Sequence, residues 1–107
     1  MERLVDLLAD GAVAAGVSFA SKKALFAQLG QMAEREYGLA ASEVVERLTE
    51  RERLGSTGFG QGVAIPHGKI EGLSHVVGLF VQLQQPVDFQ AVDELPVDLV
   101  FCLLSPP

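Results

Sequence analysis

From Ser21 to Tyr37 the apolar residues Leu25, Leu29, Met32 and Ala33 recur at helical spacing, which predicts an amphipathic helix. Ser21 offers an N-cap hydroxyl, and Gly38 stands where a left-handed C′ residue is expected. Gly30 inside this segment costs up to about 1 kcal/mol relative to alanine, so the helix should depend on tertiary packing. A second helix is predicted from Ser42, with Glu43 and Glu46 in its first turn, where carboxylates suit the macrodipole. Val44, Val45 and Leu48 form its apolar face, while Arg47, Arg51 and Arg53 crowd its last turns. It should end near Gly55.

Beyond Gly55 the period changes. Val63-Ala64-Ile65 predicts a short strand stopped by Pro66, and Val76–Leu83 and Val97–Leu104 predict longer ones. The last two are nearly continuous apolar runs, broken only by Gln82 and Asp98, as expected of strands covered on both faces. Gln84-Gln85-Pro86 and Asp93-Glu94-Leu95-Pro96 mark turns. Helices followed by strands of this kind predict an α/β protein with helices packed over a mixed sheet.

Composition narrows the function classes. The 107 residues, 49% of them hydrophobic, suit one domain or part of one, and a mean hydropathy of +0.29 argues against disorder. The net charge of −6 disfavours a nucleic-acid partner, whose affinity comes from cations on phosphate. The single cysteine, Cys102, excludes an intrachain disulfide framework and fits a reducing compartment. Met1–Asp6 lacks the pattern of a secretory signal, and no apolar run approaches the ~20 residues of a membrane span. A cytoplasmic protein with no direct membrane insertion is expected.

The distinctive chemistry lies between Arg51 and Lys69. Four of the eleven glycines fall between Gly55 and Gly62, followed by a β-branched segment and then Pro66-His67-Gly68. Successive backbone N–H groups in a glycine-rich loop can cradle an anion, which makes Gly58, Gly60, Gly62, Gly68 and Lys69 candidate phosphate contacts. Two nucleotide motifs fail here. Gly58-x-Gly60-x-Gly62 lacks the third dinucleotide glycine and precedes a strand rather than a helix. Gly62 to Gly68-Lys69 has five intervening residues instead of four, with Ile70 where a P-loop needs Ser or Thr. His67, His75 and Cys102 do not have the spacing of a metal site, so neither metal nor cofactor is expected. Cys102 reads as a buried hydrophobe, Ser56 and Thr57 as turn hydroxyls, and His75 as a strand-edge histidine. His67 differs. A histidine after a glycine-rich loop, with arginines on the preceding helix, has the lone pair and the surroundings of a phosphoryl nucleophile.

The run Gly55-Ser-Thr-Gly-Phe-Gly-Gln-Gly-Val-Ala-Ile-Pro-His67-Gly-Lys69 resembles the active-site signature of IIA domains of the phosphoenolpyruvate-dependent phosphotransferase system, fructose/mannitol class. The resemblance continues through Val76–Leu83, Phe89–Asp93 and Pro96–Phe101. Gly16-Val-Ser-x-x-Ser-Lys-Lys23 and Arg51–Thr57 look most like nitrogen-regulatory members. It implies that His67 accepts a phosphoryl group from a histidine phosphocarrier (HPr/NPr-like) and that Arg51 stabilises the phosphoryl charge, a role suited to a planar guanidinium. It leaves Lys69 as a second cation or a solvated lysine. The implied partner downstream is a regulated target protein or, in sugar-specific members, a IIB domain. A non-catalytic regulatory binding module is the alternative from another class.

The same resemblance implies a second active-site histidine in a segment beyond Leu103-Leu-Ser-Pro106, together with a further helix and strand. His75 does not match that position. Residues 1–107 are therefore expected to form a C-terminally short IIA domain with an open apolar surface and impaired phosphoryl acceptance, or a homo-oligomer that supplies the missing edge by exchange.

Overall fold

The computed structural model describes residues 7–107; the Met1–Asp6 opening lies outside the described residues. The elements run β1 (Leu8–Val17), α1 (Lys22–Tyr37), α2 (Ala41–Arg53), β2 (Gly58–Gly60), β3 (Val63–Ala64), β4 (His67–Lys69), β5 (Val77–Val87) and β6 (Val97–Ser105). The sheet order is β1-β5-β6-β3-β2, with β4 also pairing with β6. Pairings of both senses occur, so the expected α/β class with a mixed sheet is what forms.

The first helix follows the sequence closely. Ser21 Oγ accepts from Ala24 N at 3.1 Å, and Gly38 adopts the left-handed conformation. Leu25, Phe26, Leu29, Met32 and Ala33 are buried. Gly30 marks the crossing with α2, where a Cβ would meet Ala41 O at 2.8 Å and Val45 Cγ2 at 2.9 Å. Its cost in propensity is offset by that close approach. The second helix begins at Ala41, one residue before Ser42, with no side-chain cap; Ala40 occupies the cap position.

One sheet face carries Val77, Leu79, Val81 and Leu83 of β5 opposite Val100, Cys102 and Leu104 of β6, and it packs under both helices. The expectation of strands covered on both faces does not hold. On the reverse side Phe80 faces Phe101 with ring centroids 6.2 Å apart, and these join Val63, Ile65, Leu99 and Leu103 around an open apolar cleft. Among the described residues nothing covers it; Leu99 is 36% exposed. An apolar strand run records low polarity on both faces, whatever lies over them.

Three strand boundaries also differ. Gln84-Gln85-Pro86 is not a turn but part of β5, which continues past a register shift to pair Val87 with Val97. Pro86 has no N–H to lose from a ladder already interrupted there. The strand before Pro66 stops as expected, one residue early at Ala64, but its register resumes in β4: the same offset holds from Val63↔Leu99 to Lys69↔Ser105, and across the break Pro66 O accepts from Leu103 N at 2.9 Å. The third is β1, an Ala- and Gly-rich segment of weak strand propensity that pairs in parallel with β5 through two register shifts. Tyr37 ties it down from α1, its hydroxyl accepting from Ala9 N at 3.0 Å and donating to Gly78 O at 2.7 Å.

Candidate active site

Pro66 interrupts the strand beside β6, and His67 is the first residue to resume pairing, opposite Leu103. Gly68 follows against α2, where a Cβ would stand 3.3 Å from Arg47 Cβ. Glycine at this point lets β4 approach the helix closely enough for a side chain from its last turn to reach the histidine. That side chain is Arg51. Its Nε donates to His67 Nε2 at 3.2 Å, and its Nη1 donates to Gly55 O at 2.9 Å. On the other side of the ring, His67 Nδ1 lies 3.0 Å from Ile65 O. A carbonyl only accepts and a guanidinium only donates, so the two contacts together assign the proton to Nδ1 and the lone pair to Nε2.

His67 is exposed and, with Arg51, separates two shallow clefts. The first, of about 500 Å³, is lined by Arg47, Gly68, Lys69 and Ser105. The second, of about 450 Å³, is lined by Thr57, Gly58, Phe59, Ile65 and Val92. The structure thus brings Arg51, Gly58, Gly68 and Lys69 around His67. It does not bring Gly60 and Gly62 there. Those two form the turn of the β2–β3 hairpin at φ 113° and 81°, facing the carboxylates of Asp93 and Asp98, an unsuitable setting for an anion. Nor is the Gly58 N–H free, since it donates to Ser56 Oγ at 2.9 Å.

The glycine-rich loop is held by side chains whose role the sequence did not disclose. Glu52, next to Arg51, accepts from Thr57 N at 3.1 and 3.2 Å, from Thr57 Oγ1 at 2.5 Å and from Lys22 Nζ at 2.7 Å. Burial by itself pushes the Glu52 carboxyl up, but the hydrogen bonds from Lys22 and Thr57 outweigh it and hold the group below the ordinary glutamate value. Lys22 also donates to Phe89 O and Gln90 Oε1, and its ammonium sits 4.8 Å from the Phe89 ring centroid. Ser56 Oγ donates to Phe89 O. Asp93 takes Gln61 N at 2.8 Å and Leu95 N at 3.1 Å, fastening the hairpin to the segment after β5. These bonds leave three large apolar side chains standing out near the histidine: Leu54 (86% exposed), Phe59 (78%) and Val92 (94%).

The remaining sequence candidates lie elsewhere. His75 is exposed, with Nδ1 3.0 Å from Ser74 Oγ. Cys102 is fully buried, and burial pushes its thiol up to about 12, which leaves it unreactive in the fold. No helix among the described residues is long and apolar enough to cross a membrane.

The chain is similar to known proteins over most of its length. The nitrogen regulatory protein of Bradyrhizobium diazoefficiens is 44% identical over 103 residues, covering 96% of this chain and 67% of the relative. That of Escherichia coli K12 is 46% identical over 87 residues, or 80% of this chain and 53% of its own. The chain therefore spans between about half and two thirds of these relatives. Among solved structures, nitrogen regulatory protein IIA-Ntr from Neisseria meningitidis matches with a TM-score of 0.88 at 44% identity, over 94% of this chain and 69% of that one. The IIA–phosphorylated IIB mannitol complex from Escherichia coli shares the fold at a TM-score of 0.78 and 21% identity, over 94% of this chain and 72% of that one. A profile described as "Phosphoenolpyruvate-dependent sugar phosphotransferase system, EIIA 2" matches residues 6–107. The chain belongs to that EIIA 2 family.

Proposed function

We propose that this chain is a phosphoryl-acceptor domain of the nitrogen-regulatory branch, taking its phosphoryl group on Nε2 of His67 from a phosphohistidine on a small HPr/NPr-like carrier. The observation that carries this reading is the pair of contacts at the ring, Nδ1 to Ile65 O and Nε2 to Arg51 Nε. In the transfer, Arg51 Nε–H releases Nε2 and turns to the phosphoryl oxygens, and the freed Nε2 lone pair forms the new N–P bond while the donor's N–P bond breaks. The electron pair of that bond stays on the donor ring, which leaves as a neutral imidazole when its other nitrogen carries a proton. His67 keeps its Nδ1 proton, and the positive charge that develops on the ring is met by the Ile65 carbonyl. Arg51, already fixed by Gly55 O, stands where charge on the phosphoryl oxygens needs a donor. Lys69 and Arg47 also line the adjoining cleft, where Glu71 and Glu50, the latter 3.2 Å from Arg47 Nη1, offset their charge.

An exposed histidine flanked by Leu54, Phe59 and Val92 suits a donor presented on a protein surface better than a free small molecule. The acidic balance of the chain suits a carrier with a basic face, since complementary charge speeds encounter. The cytoplasm is the compartment where such a relay would operate. Onward transfer to a IIB domain is a second reading, favoured by the fold shared with the mannitol complex. The nitrogen regulatory relatives at 44% identity favour regulation of a target protein instead.

The test is incubation with phosphoenolpyruvate, enzyme I and the carrier. An acid-labile, base-stable label that vanishes in His67→Ala is expected. A folded wild-type chain that takes no label sinks the relay and leaves the non-catalytic binding module. Passage of the label to a IIB domain would select the sugar branch.

A further inference from the structure

We infer that Glu52, braced by Lys22 and acting through Thr57, is a positioning residue that sets the tautomer of His67. The contacts form an unbroken series. Lys22 Nζ donates to Glu52 Oε2, Thr57 donates its backbone N–H and its hydroxyl to the same carboxylate, and Ile65 N donates to Thr57 O at 2.9 Å. Ile65 O then accepts from His67 Nδ1. Each step fixes the next.

Ile65 is the point at which this matters. Pro66 O still accepts from Leu103 N of β6 at 2.9 Å, but Ile65 itself makes no bond to β6, so its N–H and C=O face away from the ladder. Its N–H turns to Thr57 instead. Thr57 is 8% exposed and is the one polar residue in the buried set among the described residues, so its hydroxyl requires a partner inside the fold. Glu52 supplies that partner, with its side chain only 9% exposed, and Lys22 balances the charge at 19%. Lys22 itself is the first residue of α1, where a cation opposes the helix dipole. The placement is therefore unfavourable for the helix alone and is explained by the carboxylate it meets. Free histidine prefers its proton on Nε2, the reverse of what a nucleophilic Nε2 needs. A carbonyl held in place at Nδ1 inverts that preference.

The kinetic consequence rests on the phosphoryl-acceptor reading of His67, whereas the tautomer does not. Two-bond proton–nitrogen NMR correlations on the full chain, recorded about two pH units above the free-histidine value of ~6.5, read the tautomer directly. The wild type is expected to show Nδ1–H alone. Thr57→Val, which keeps the shape and loses the hydroxyl, and Glu52→Gln should both admit the Nε2–H form. Thr57→Ser should restore the wild-type spectrum. Phosphoryl transfer should fall about 10- to 100-fold in the first two variants, the scale of a small misplacement of a reacting atom, with the KM for the carrier unchanged.

A folded Thr57→Val or Glu52→Gln chain that keeps a pure Nδ1–H ring overturns the assignment, whereas a changed tautomer without loss of rate overturns only its kinetic consequence. Should Glu52→Gln fail to fold, Thr57→Val against Thr57→Ser decides. A wild type that takes no label while the tautomer responds as described refutes the relay and leaves the positioning role standing.

Discussion

Replacing Arg51 by methionine separates the two things its guanidinium does. In the structure one planar group donates both to His67 Nε2 at 3.2 Å and to Gly55 O at 2.9 Å. The second bond adds little stability, at most about 1 kcal/mol for a hydrogen bond of a partly exposed group. In the proposed transfer its larger effect would be to hold the first donor still before the phosphoryl group arrives. Removing one such fixed donor from a developing oxyanion costs about 2.7–4 kcal/mol, or 10²- to 10³-fold in rate. Because His67 is open to water, the low end applies, and Arg51→Met should slow transfer about 100-fold with little change in the unfolding midpoint. Arg51→Lys should recover only part of this, since one ammonium on a flexible stem does not reproduce the planar fork of donors. Rapid-quench transfer from the radiolabelled carrier, under single-turnover conditions, measures the chemical step. An Arg51→Met chain within about threefold of wild type, a difference below 1 kcal/mol, would refute the electrostatic role assigned to the arginine.

Other consequences are as direct. Phe59→Ser should raise the KM for the carrier while leaving the single-turnover rate at saturation and the stability near wild type, because the ring is 78% exposed and its loss leaves no cavity; a titration of carrier concentration checks this. Gly30→Ala should destabilise the fold by about 1–3 kcal/mol through overpacking against the Ala41 carbonyl, less the gain of up to about 1 kcal/mol in helix propensity, as read by urea denaturation. The Glu52 carboxyl lies below its ordinary value in the fold, so its stabilisation is complete above the ordinary glutamate range and is lost as pH falls through the lower folded value. Glu52→Gln should flatten that acid limb when unfolding is measured across pH, and an unchanged limb would show that the carboxylate is not held as described.

The helices were legible because their signals are local. Ser21, Leu25, Leu29 and Gly38 act within a few residues of one another, and each does in the structure what its type suggests. The signature around His67 was legible for a different reason, as a resemblance. Spacing alone left Arg51 and His67 as residues sixteen positions apart, and only the approach of β4 to α2 at Gly68 brings them into contact. What stayed hidden depends on distant pairing. The strand β1 has poor propensity and is made by β5 and Tyr37, and the path of β5 through Pro86 is fixed by Val87 reaching Val97. Glu52 looked like one charge among many at a helix end. Its partners Lys22 and Thr57 lie thirty positions before and five after it, and no sequence period links them. The glycines misled in part: Gly60 and Gly62 serve a hairpin turn, and Gly68 serves helix–strand packing.

The parallel pairing of β1 has a consequence for the order in which the molecule comes apart. Leu8 meets Gly78 and Val17 meets Leu83, a larger separation along the chain than in any other strand pair among the described residues. Closing the longest loop comes late in folding, when the rest of the sheet already offers an edge to join. Among the described residues the same strand has a neighbour on one side only, with Tyr37 and Arg35 as side-chain tethers. Amide exchange in β1 should therefore proceed by peeling at a lower free energy than exchange in the centre of β5 and β6. His67 lies across β6 from that edge. The edge expected to open first is the one farthest from His67, so peeling of β1 would leave the histidine's frame in place.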